Sequence, residues 1–181
     1  INRKILIYFF FIRKFTFFRI IEIAKSDKNW TLIYANSMIT KKNIYIFEKK
    51  IDYSFKNKEM LTDSLIHPSF TKDHKIKKNI LYSEFERLEF LGDRVLGLVI
   101  SSLIYSRFDS SNEGDLSKKL SYLVQKNFLY KISTELSLNK ILKFSFKKQN
   151  EKMNVSILAD AVEALIGAIY IDGGYKSSIK F

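Results

Sequence analysis

The amino-acid sequence predicts an all-α protein, and two observations support this. From residue 44 onward, apolar side chains recur at three- and four-residue spacing, which is the period of one helix face. The chain contains no convincing run in which apolar and polar residues alternate as they do in a half-buried strand. With 181 residues and a hydrophobic fraction of 46%, the chain can bury the core of one domain.

The first helical pattern covers residues 47–66, where an apolar stripe runs at four-residue spacing. Pro68, the only proline, is predicted to end this helix because the residue before a proline is disfavoured in helical geometry. The polar residues 71–79 are predicted to form a loop. The two histidines, His67 and His74, are interpreted as structural or solvated side chains and not as metal ligands.

Three further helical patterns follow, separated by polar segments. They are predicted at 84–105, at 116–136 and at 155–171. Residues 109–115 are predicted to be a turn and helix cap, and residues 145–154 a loop. Gly173 and Gly174 are expected to close the last helix.

The charge and the cysteine content limit the possible functions. The chain carries 31 Lys and Arg against 19 Asp and Glu, a net charge of +12. Such an excess favours a polyanionic partner, either nucleic acid or an anionic membrane, although a protein with a merely basic surface is the plain alternative. The absence of cysteine excludes disulfides, thiolate metal sites and a cysteine nucleophile, and is compatible with a reducing cytoplasm.

Residues 1–43 form a basic, aromatic extension that is distinct in composition from the rest of the chain. They hold nine Lys and Arg but only two Asp and Glu, and their role is unknown. Their longest uncharged run, residues 5–12, is well below the roughly 18 residues that span a bilayer. The preferred interpretation is an extension with no membrane partner. The alternatives are an organellar targeting segment and a membrane-surface anchor.

Acidic residues stand inside two otherwise apolar segments, 88–105 and 155–171. The charged residues of the first are Glu89, Asp93 and Arg94, and those of the second are Asp160 and Glu163. Helices so apolar are expected at the centre of the protein, where an ionised carboxylate is unfavourable unless it is paired or bound to a cation.

The spacing of these acids places each pair on one helix face, four residues apart in the first segment and three in the second. If the two helices pack together, four carboxylates converge, and a divalent cation relieves their repulsion. The alternative is that each pair lies on a solvated strip of an ordinary amphipathic helix. Gly92, Gly97 and Gly167 lie inside the helical patterns and are predicted to allow close approach of the backbones.

Several sequence blocks resemble the ribonuclease III family. ERLEFLGDR (86–94) is similar to its signature, and NEGDLSKKLSYLV (112–124) and ILADAVEALIGAIYIDGG (157–174) follow in the family's order. The upstream segment IDYSFKNKEMLTDSLIHPSF (51–70) also resembles the family's first helices. The likeness covers about residues 44–176 and is closest to bacterial members. It implies a helical bundle that dimerises.

The resemblance also implies roles for individual residues. It places Glu89, Asp160 and Glu163 on a catalytic Mg²⁺, for which Mn²⁺ can substitute, and makes Asp93 and Glu163 catalytic. Further residues that match the family are Glu86 and Glu113, as accessory acids, and Phe90, at the dimer interface. An ordinary core position within one subunit is the alternative for Phe90. Candidate phosphate contacts are Lys118, Lys119, Lys126, Lys147 and Lys148.

The implied function is a Mg²⁺-dependent endoribonuclease that cuts double-stranded RNA to 5′-phosphate and 3′-hydroxyl products as a homodimer. Ribosomal and other structured RNA precursors are the expected substrates, and the bacterial cytoplasm is the expected location. Residues 44–181 are then the catalytic domain, shortened at its C-terminal end and lacking a double-stranded-RNA-binding domain. The alternative is a catalytically silent module of the same family that binds RNA or the ribosome.

Overall fold

Seven α-helices make up most of the residues that the computed structural model describes, which are 39–73, 81–145 and 151–181. They are α1 (Lys41–Lys50), α2 (Lys58–Ser64), α3 (Pro68–Asp73), α4 (Leu81–Arg107), α5 (Glu113–Val124), α6 (Lys126–Glu135) and α7 (Glu151–Lys180), with a short 3-10 helix (Leu138–Lys140) before α7. Within these ranges, extended backbone pairs only at one isolated parallel bridge, between Ile66 and Lys143. The all-α prediction is confirmed.

Helices α4 and α7 are the longest and form the most extensive helix–helix contact of the fold. Residues 161–169 of α7 are all buried, so this stretch is surrounded by protein on every side. The segment Asn154–Lys180 is long and apolar enough to cross a membrane, but 72% of its most apolar window is buried inside the protein. Helix α7 is therefore the central element around which α2, α4 and α6 pack.

Glycine at two positions lets the backbones of α4 and α7 touch. A methyl group at Gly92 would overlap the carbonyl oxygen of Glu163 and lie 2.6 Å from the carbonyl carbon of that residue. A methyl group at Gly167 would overlap the Leu88 carbonyl oxygen and lie 3.2 Å from the amide nitrogen of Gly92. The predicted close approach is confirmed at these two glycines. It is wrong for Gly97, where an added methyl group would have no neighbour within 4 Å.

The helix predicted over residues 47–66 is two helices separated by a turn. Helix α1 ends at Lys50, and Asp52 adopts a positive φ of 49°, which a helix cannot contain. Asn57 then caps α2 by accepting a hydrogen bond from the Glu59 amide at 2.9 Å. Ile51 and Phe55 are buried as the pattern indicated, but they lie in the turn. The apolar spacing therefore predicted correctly which residues are buried, but not that they are helical.

Pro68 begins a helix, contrary to the prediction that it only ends one. Helix α2 has already stopped at Ser64, and Pro68 occupies the first position of α3, where its missing amide hydrogen is not needed. Residues 71–73 are helical and not a loop, whereas 74–80, with His74, lie outside the described residues. His67 is structural, since its ring packs edge-on against Phe85 with centroids 5.1 Å apart.

Two other predicted boundaries differ from the structure. The single helix predicted at 116–136 is divided at Gln125, whose ψ of 147° is extended and which serves as the cap of α6. Gly174 leaves helical geometry at φ 75°, as expected of a terminating glycine, but the chain resumes its helix to Lys180. The extended backbone at Gln125 redirects the chain between α5 and α6 and determines where the first residue of α6 lies.

Candidate metal centre and catalytic site

Three of the predicted acids meet where α4 crosses α7. Glu89 on α4 and Asp160 and Glu163 on α7 each offer one carboxylate oxygen, and these oxygens lie within 4.8 Å of one another. The crossing at the two glycines explains the convergence, because Glu89 follows Leu88, which faces Gly167, and the carbonyl of Glu163 faces Gly92. Glu163 is 9% exposed, and the other two acids are half-buried. These three residues are called the acidic cluster below.

Asp93 lies beside the acidic cluster but is not one of the three residues whose oxygens converge. Its side chain is 43% exposed and forms an ion pair with the guanidinium of Arg94, the next residue. It is nevertheless close enough to Glu163 for its negative charge to raise the pKa of that carboxyl. Three of the four predicted acids are thus brought together, and the fourth lies at the solvent side of the group.

The electrostatics of the acidic cluster show a shortage of positive charge. Burial raises the pKa of Glu163 to about 7, and the negative charges of Asp93, Asp160 and Glu89 add to the effect. Burial and the charge of Asp160 likewise raise the pKa of Glu89 to about 7. The carboxyls of Glu89 and Glu163 therefore ionise against burial and the negative charge of their neighbours, which is the condition that a bound divalent cation relieves.

Lys126, the first residue of α6, supplies a cation to the acidic cluster. Its Nζ atom donates to Oδ1 of Asp160 at 3.0 Å and to Oγ of Ser156 at 2.8 Å. The hydrogen bond to Asp160 is the main cause of the raised pKa of Lys126. Sequence reasoning grouped Lys126 with four other lysines as a candidate phosphate contact and missed this pairing. The two residues are 34 positions apart, so no local spacing pointed to it.

The two accessory acids lie outside the acidic cluster. Glu86 is exposed on α4, where its charge contributes to the raised pKa of Glu89. Glu113 is the exposed first residue of α5, and its carboxylate accepts a hydrogen bond from the Ser117 hydroxyl at 2.7 Å. Glu86 therefore borders the site, whereas the local contact of Glu113 lies within its own helix.

Phe90 projects from α4 and is 67% exposed, so the alternative of an ordinary core residue within one subunit is wrong. The Arg94 guanidinium lies 5.5 Å from the centre of its ring. Beside Phe90 is a depression of about 570 Å³, lined in part by Met60, Leu91 and Ile171. An exposed aromatic ring next to an apolar depression has the features of a contact surface.

The remaining candidate phosphate contacts are dispersed. Two of them are on α5 and have partners away from the acidic cluster. Lys118 pairs with Asp115 at 3.6 Å, and Lys119 lies 4.9 Å from the ring centre of Phe108. Lys147 and Lys148 fall outside the described residues. Of the lysines that the structure describes in this set, Lys126 is the one that contacts the acidic cluster.

Comparison with known proteins agrees with this fold. A family model described as Ribonuclease-III-like matches residues 57–181, more than half of the chain. The chain belongs to the ribonuclease III family. It is 39% identical to Ribonuclease 3 of Rickettsia akari over 133 residues, and 41% identical to Ribonuclease 3 of Rickettsia bellii over 127 residues. These alignments cover 72% and 69% of this chain but 57% and 55% of the relatives, so the chain spans little more than half of their length.

Solved structures of ribonuclease III nuclease domains share the fold. A nuclease domain from Campylobacter jejuni is 38% identical, with a TM-score of 0.64, and the match covers 76% of this chain and 89% of that domain. A second structure from the same organism, with a TM-score of 0.63 and 37% identity, is described by flexibility in a region involved in dimer formation. Ribonuclease III proteins are metal-dependent nucleases, and the oxygen donors of the acidic cluster suit a hard divalent cation.

Proposed function

We propose that this chain carries the catalytic domain of an endoribonuclease that hydrolyses double-stranded RNA with the help of Mg²⁺. The acidic cluster is the observation that carries the proposal, because three carboxylates within 4.8 Å at the crossing of two core helices are unfavourable when a single ammonium, that of Lys126, pairs with one of them. Membership of the ribonuclease III family gives the site its chemical class. A silent RNA-binding module would have no need of these three acids.

Glu89, Asp160 and Glu163 are proposed to hold the cation. Carboxylate oxygens are the ligands that Mg²⁺ prefers, and Mn²⁺ is accepted by the same donors. A divalent cation bound here would act as a Lewis acid on the phosphate and would lower the pKa of the water that it binds, so that the water can attack at neutral pH. The site reaches solvent on one side, since Glu89 is half-buried and the neighbouring Asp93 side chain is 43% exposed.

The protein's own groups are proposed to orient the reactants. Glu163 is the most buried acid of the acidic cluster, and a cation bound there would reverse the rise in its pKa and hold the carboxylate ionised and oriented. Asp93 lies on the exposed side, where its carboxylate can accept a hydrogen bond from water next to the scissile phosphate. Glu86, at the border, is proposed to contribute negative charge beside Glu89, and Glu113, outside the acidic cluster, to help position the RNA.

The substrate is proposed to be duplex RNA, which is recognised by its shape and its phosphates and 2′-hydroxyls. Two copies of the chain, joined through surfaces that include Phe90, would present one acidic cluster to each strand. Hydrolysis is proposed to leave 5′-phosphate and 3′-hydroxyl ends on ribosomal and other structured RNA precursors. A bacterial cytoplasm is the proposed location.

Cleavage of a uniform RNA duplex by the purified chain tests the proposal. We expect cleavage with Mg²⁺, none with a chelator, and loss of at least about a hundredfold in rate for Glu163→Gln, since removing a group that acts in the transition state has effects of this size. Glu135→Gln, which makes the same change at an exposed position outside the site, is the matched control and should cleave normally. Unimpaired cleavage by Glu163→Gln would remove that residue from the reaction, and a folded wild-type chain that cuts nothing with Mg²⁺ or Mn²⁺ would favour the silent module.

A further inference from the structure

Lys126 is held over α7 by two polar contacts and not by one. Its ammonium donates to Asp160 and to Ser156, and the Ser156 hydroxyl also lies 3.3 Å from Oδ2 of Asp160. Both carboxylate oxygens of Asp160 are therefore engaged, Oδ1 by the ammonium and Oδ2 by the hydroxyl. The position of the lysine follows from the extended backbone at Gln125, which starts α6 directly above this part of α7.

Asp160 thus belongs to two arrangements that share its carboxylate group. As a member of the acidic cluster it offers a carboxylate oxygen within 4.8 Å of those of Glu89 and Glu163. As the partner of Lys126 it accepts a charge-assisted hydrogen bond, while its side chain is only 14% exposed and so weakly screened by water. A divalent cation that takes Asp160 as a ligand either displaces the ammonium or binds a carboxylate whose charge the ammonium already partly neutralises.

We propose that Lys126 is a built-in counter-cation that competes with the divalent cation for Asp160 and thereby sets the metal affinity of the site. Lys126 is a positioning residue in this scheme, because it acts through Asp160. The inference rests on the proposed function, since it requires that the acidic cluster binds metal. The Lys126 side chain is 60% exposed, so the displaced ammonium can turn into solvent on its four-carbon stem without breaking the core.

One lysine on the same helix provides a matched control. Lys131 is exposed on α6, five residues after Lys126, and therefore points about 140° away around the helix. Replacement of either lysine by methionine removes one positive charge and keeps most of the aliphatic stem. A difference between the two variants then reports the contact with Asp160 and not the change in net charge.

The test is direct titration with Mn²⁺ in the absence of RNA, followed by electron paramagnetic resonance or calorimetry. Lys126→Met should lower the Kd for Mn²⁺ about tenfold, the size expected from removing one partly screened charge-assisted hydrogen bond. Lys131→Met should stay within about twofold of wild type, and Lys126→Arg, which keeps the charge, within about threefold. Lys126→Gln serves as a second charge-removing variant if the methionine variant does not fold.

A thermal melt provides an independent readout. In a chelator, Lys126→Met should melt below wild type because the acidic cluster loses its cation, and saturating Mn²⁺ should raise the Tm of the variant more than that of wild type. A Kd for folded Lys126→Met or Lys126→Gln equal to or weaker than wild type would overturn the inference while leaving the proposed metal site intact. A folded wild-type chain that binds no Mn²⁺ at millimolar concentration would overturn the metal site and the inference together.

Discussion

The contact between the two core helices makes Gly92→Ala the most informative single substitution in this fold. The added methyl group would overlap the carbonyl oxygen of Glu163, with the carbonyl carbon at 2.6 Å and the amide nitrogen of Gly167 at 2.9 Å. These are backbone atoms in the interior of α7, so no side-chain rotation can make room. The two helices must move apart, and Glu163 must move with its own backbone.

The expected cost follows from that geometry. Overpacking a core by one methyl group costs about 1 to 3 kcal/mol, and contact with rigid backbone places this case at or above the upper end. Alanine gains about 1 kcal/mol over glycine in a helix interior, which offsets part of the loss. We expect the free energy of unfolding to fall by about 2 to 3 kcal/mol, a large share of the roughly 5 to 15 kcal/mol typical of a domain. Separation of the helices should also weaken Mn²⁺ binding.

Gly97→Ala is the control, because it makes the same change in the same helix with no neighbour within 4 Å of the new methyl group. This variant should be more stable than wild type by up to about 1 kcal/mol and should bind Mn²⁺ normally. Urea denaturation followed by circular dichroism measures both stabilities, and calorimetry measures metal binding. If Gly92→Ala were as stable as Gly97→Ala and kept its Mn²⁺ affinity, the glycine crossing would not hold the acids together.

Three other predictions concern single carboxylates. Asp172→Ala should lower the free energy of unfolding by about 2 kcal/mol in urea, because the carboxylate accepts hydrogen bonds from the Tyr53 hydroxyl at 2.7 Å and from two backbone amides of the α1–α2 turn. Burial, and then nearby acids, raise the pKa of Asp63 to about 6, so its contribution to stability is lost as pH rises from about 4 to 6. At pH 7, Asp63→Asn should therefore have a free energy of unfolding about 1 kcal/mol higher than wild type, after allowance for partial exposure, and a higher Tm. At pH 4 the two proteins should melt together. Because the pKa of Glu163 in the metal-free fold, about 7, exceeds its unfolded value, ionisation of Glu163 destabilises the fold. In a chelator, Glu163→Gln should therefore have a higher Tm than wild type at pH 8 and a similar Tm at pH 4.5, both measured by calorimetry. Equal Tm values at pH 8 would contradict this.

The sequence was sufficient to predict the acidic cluster because the relevant signals are local. Carboxylates three or four residues apart share a helix face, and their apolar surroundings indicated that both helices are central. The same reasoning placed Asp93 with the other acids, but the structure pairs Asp93 with Arg94 at the solvent side. The spacing of acids along a helix predicts which of them share a helix face, whereas the solvent exposure of each acid depends on where the partner helix crosses.

Two other contacts between distant segments were not predicted from the sequence. The apolar spacing of Phe47, Ile51 and Phe55 fits one helix, and only the tertiary structure shows the turn that interrupts it. That turn is fixed by hydrogen bonds to Asp172 from more than 100 residues away. The pairing of Lys126 with Asp160 has the same origin, since it depends on how α6 packs on α7.

Fold and site are coupled through one residue, because Glu163 contributes both a carboxylate to the acidic cluster and the carbonyl oxygen that faces Gly92. A change in the crossing of α4 and α7 therefore changes the geometry of the acids, and neutralisation of the acids relieves repulsion at the crossing. Residues 161–169 are buried throughout, so this stretch of α7 has no free surface toward which it could relax. Binding of a divalent cation at the acidic cluster should consequently stabilise the whole bundle, and the metal-free protein should be its less stable form.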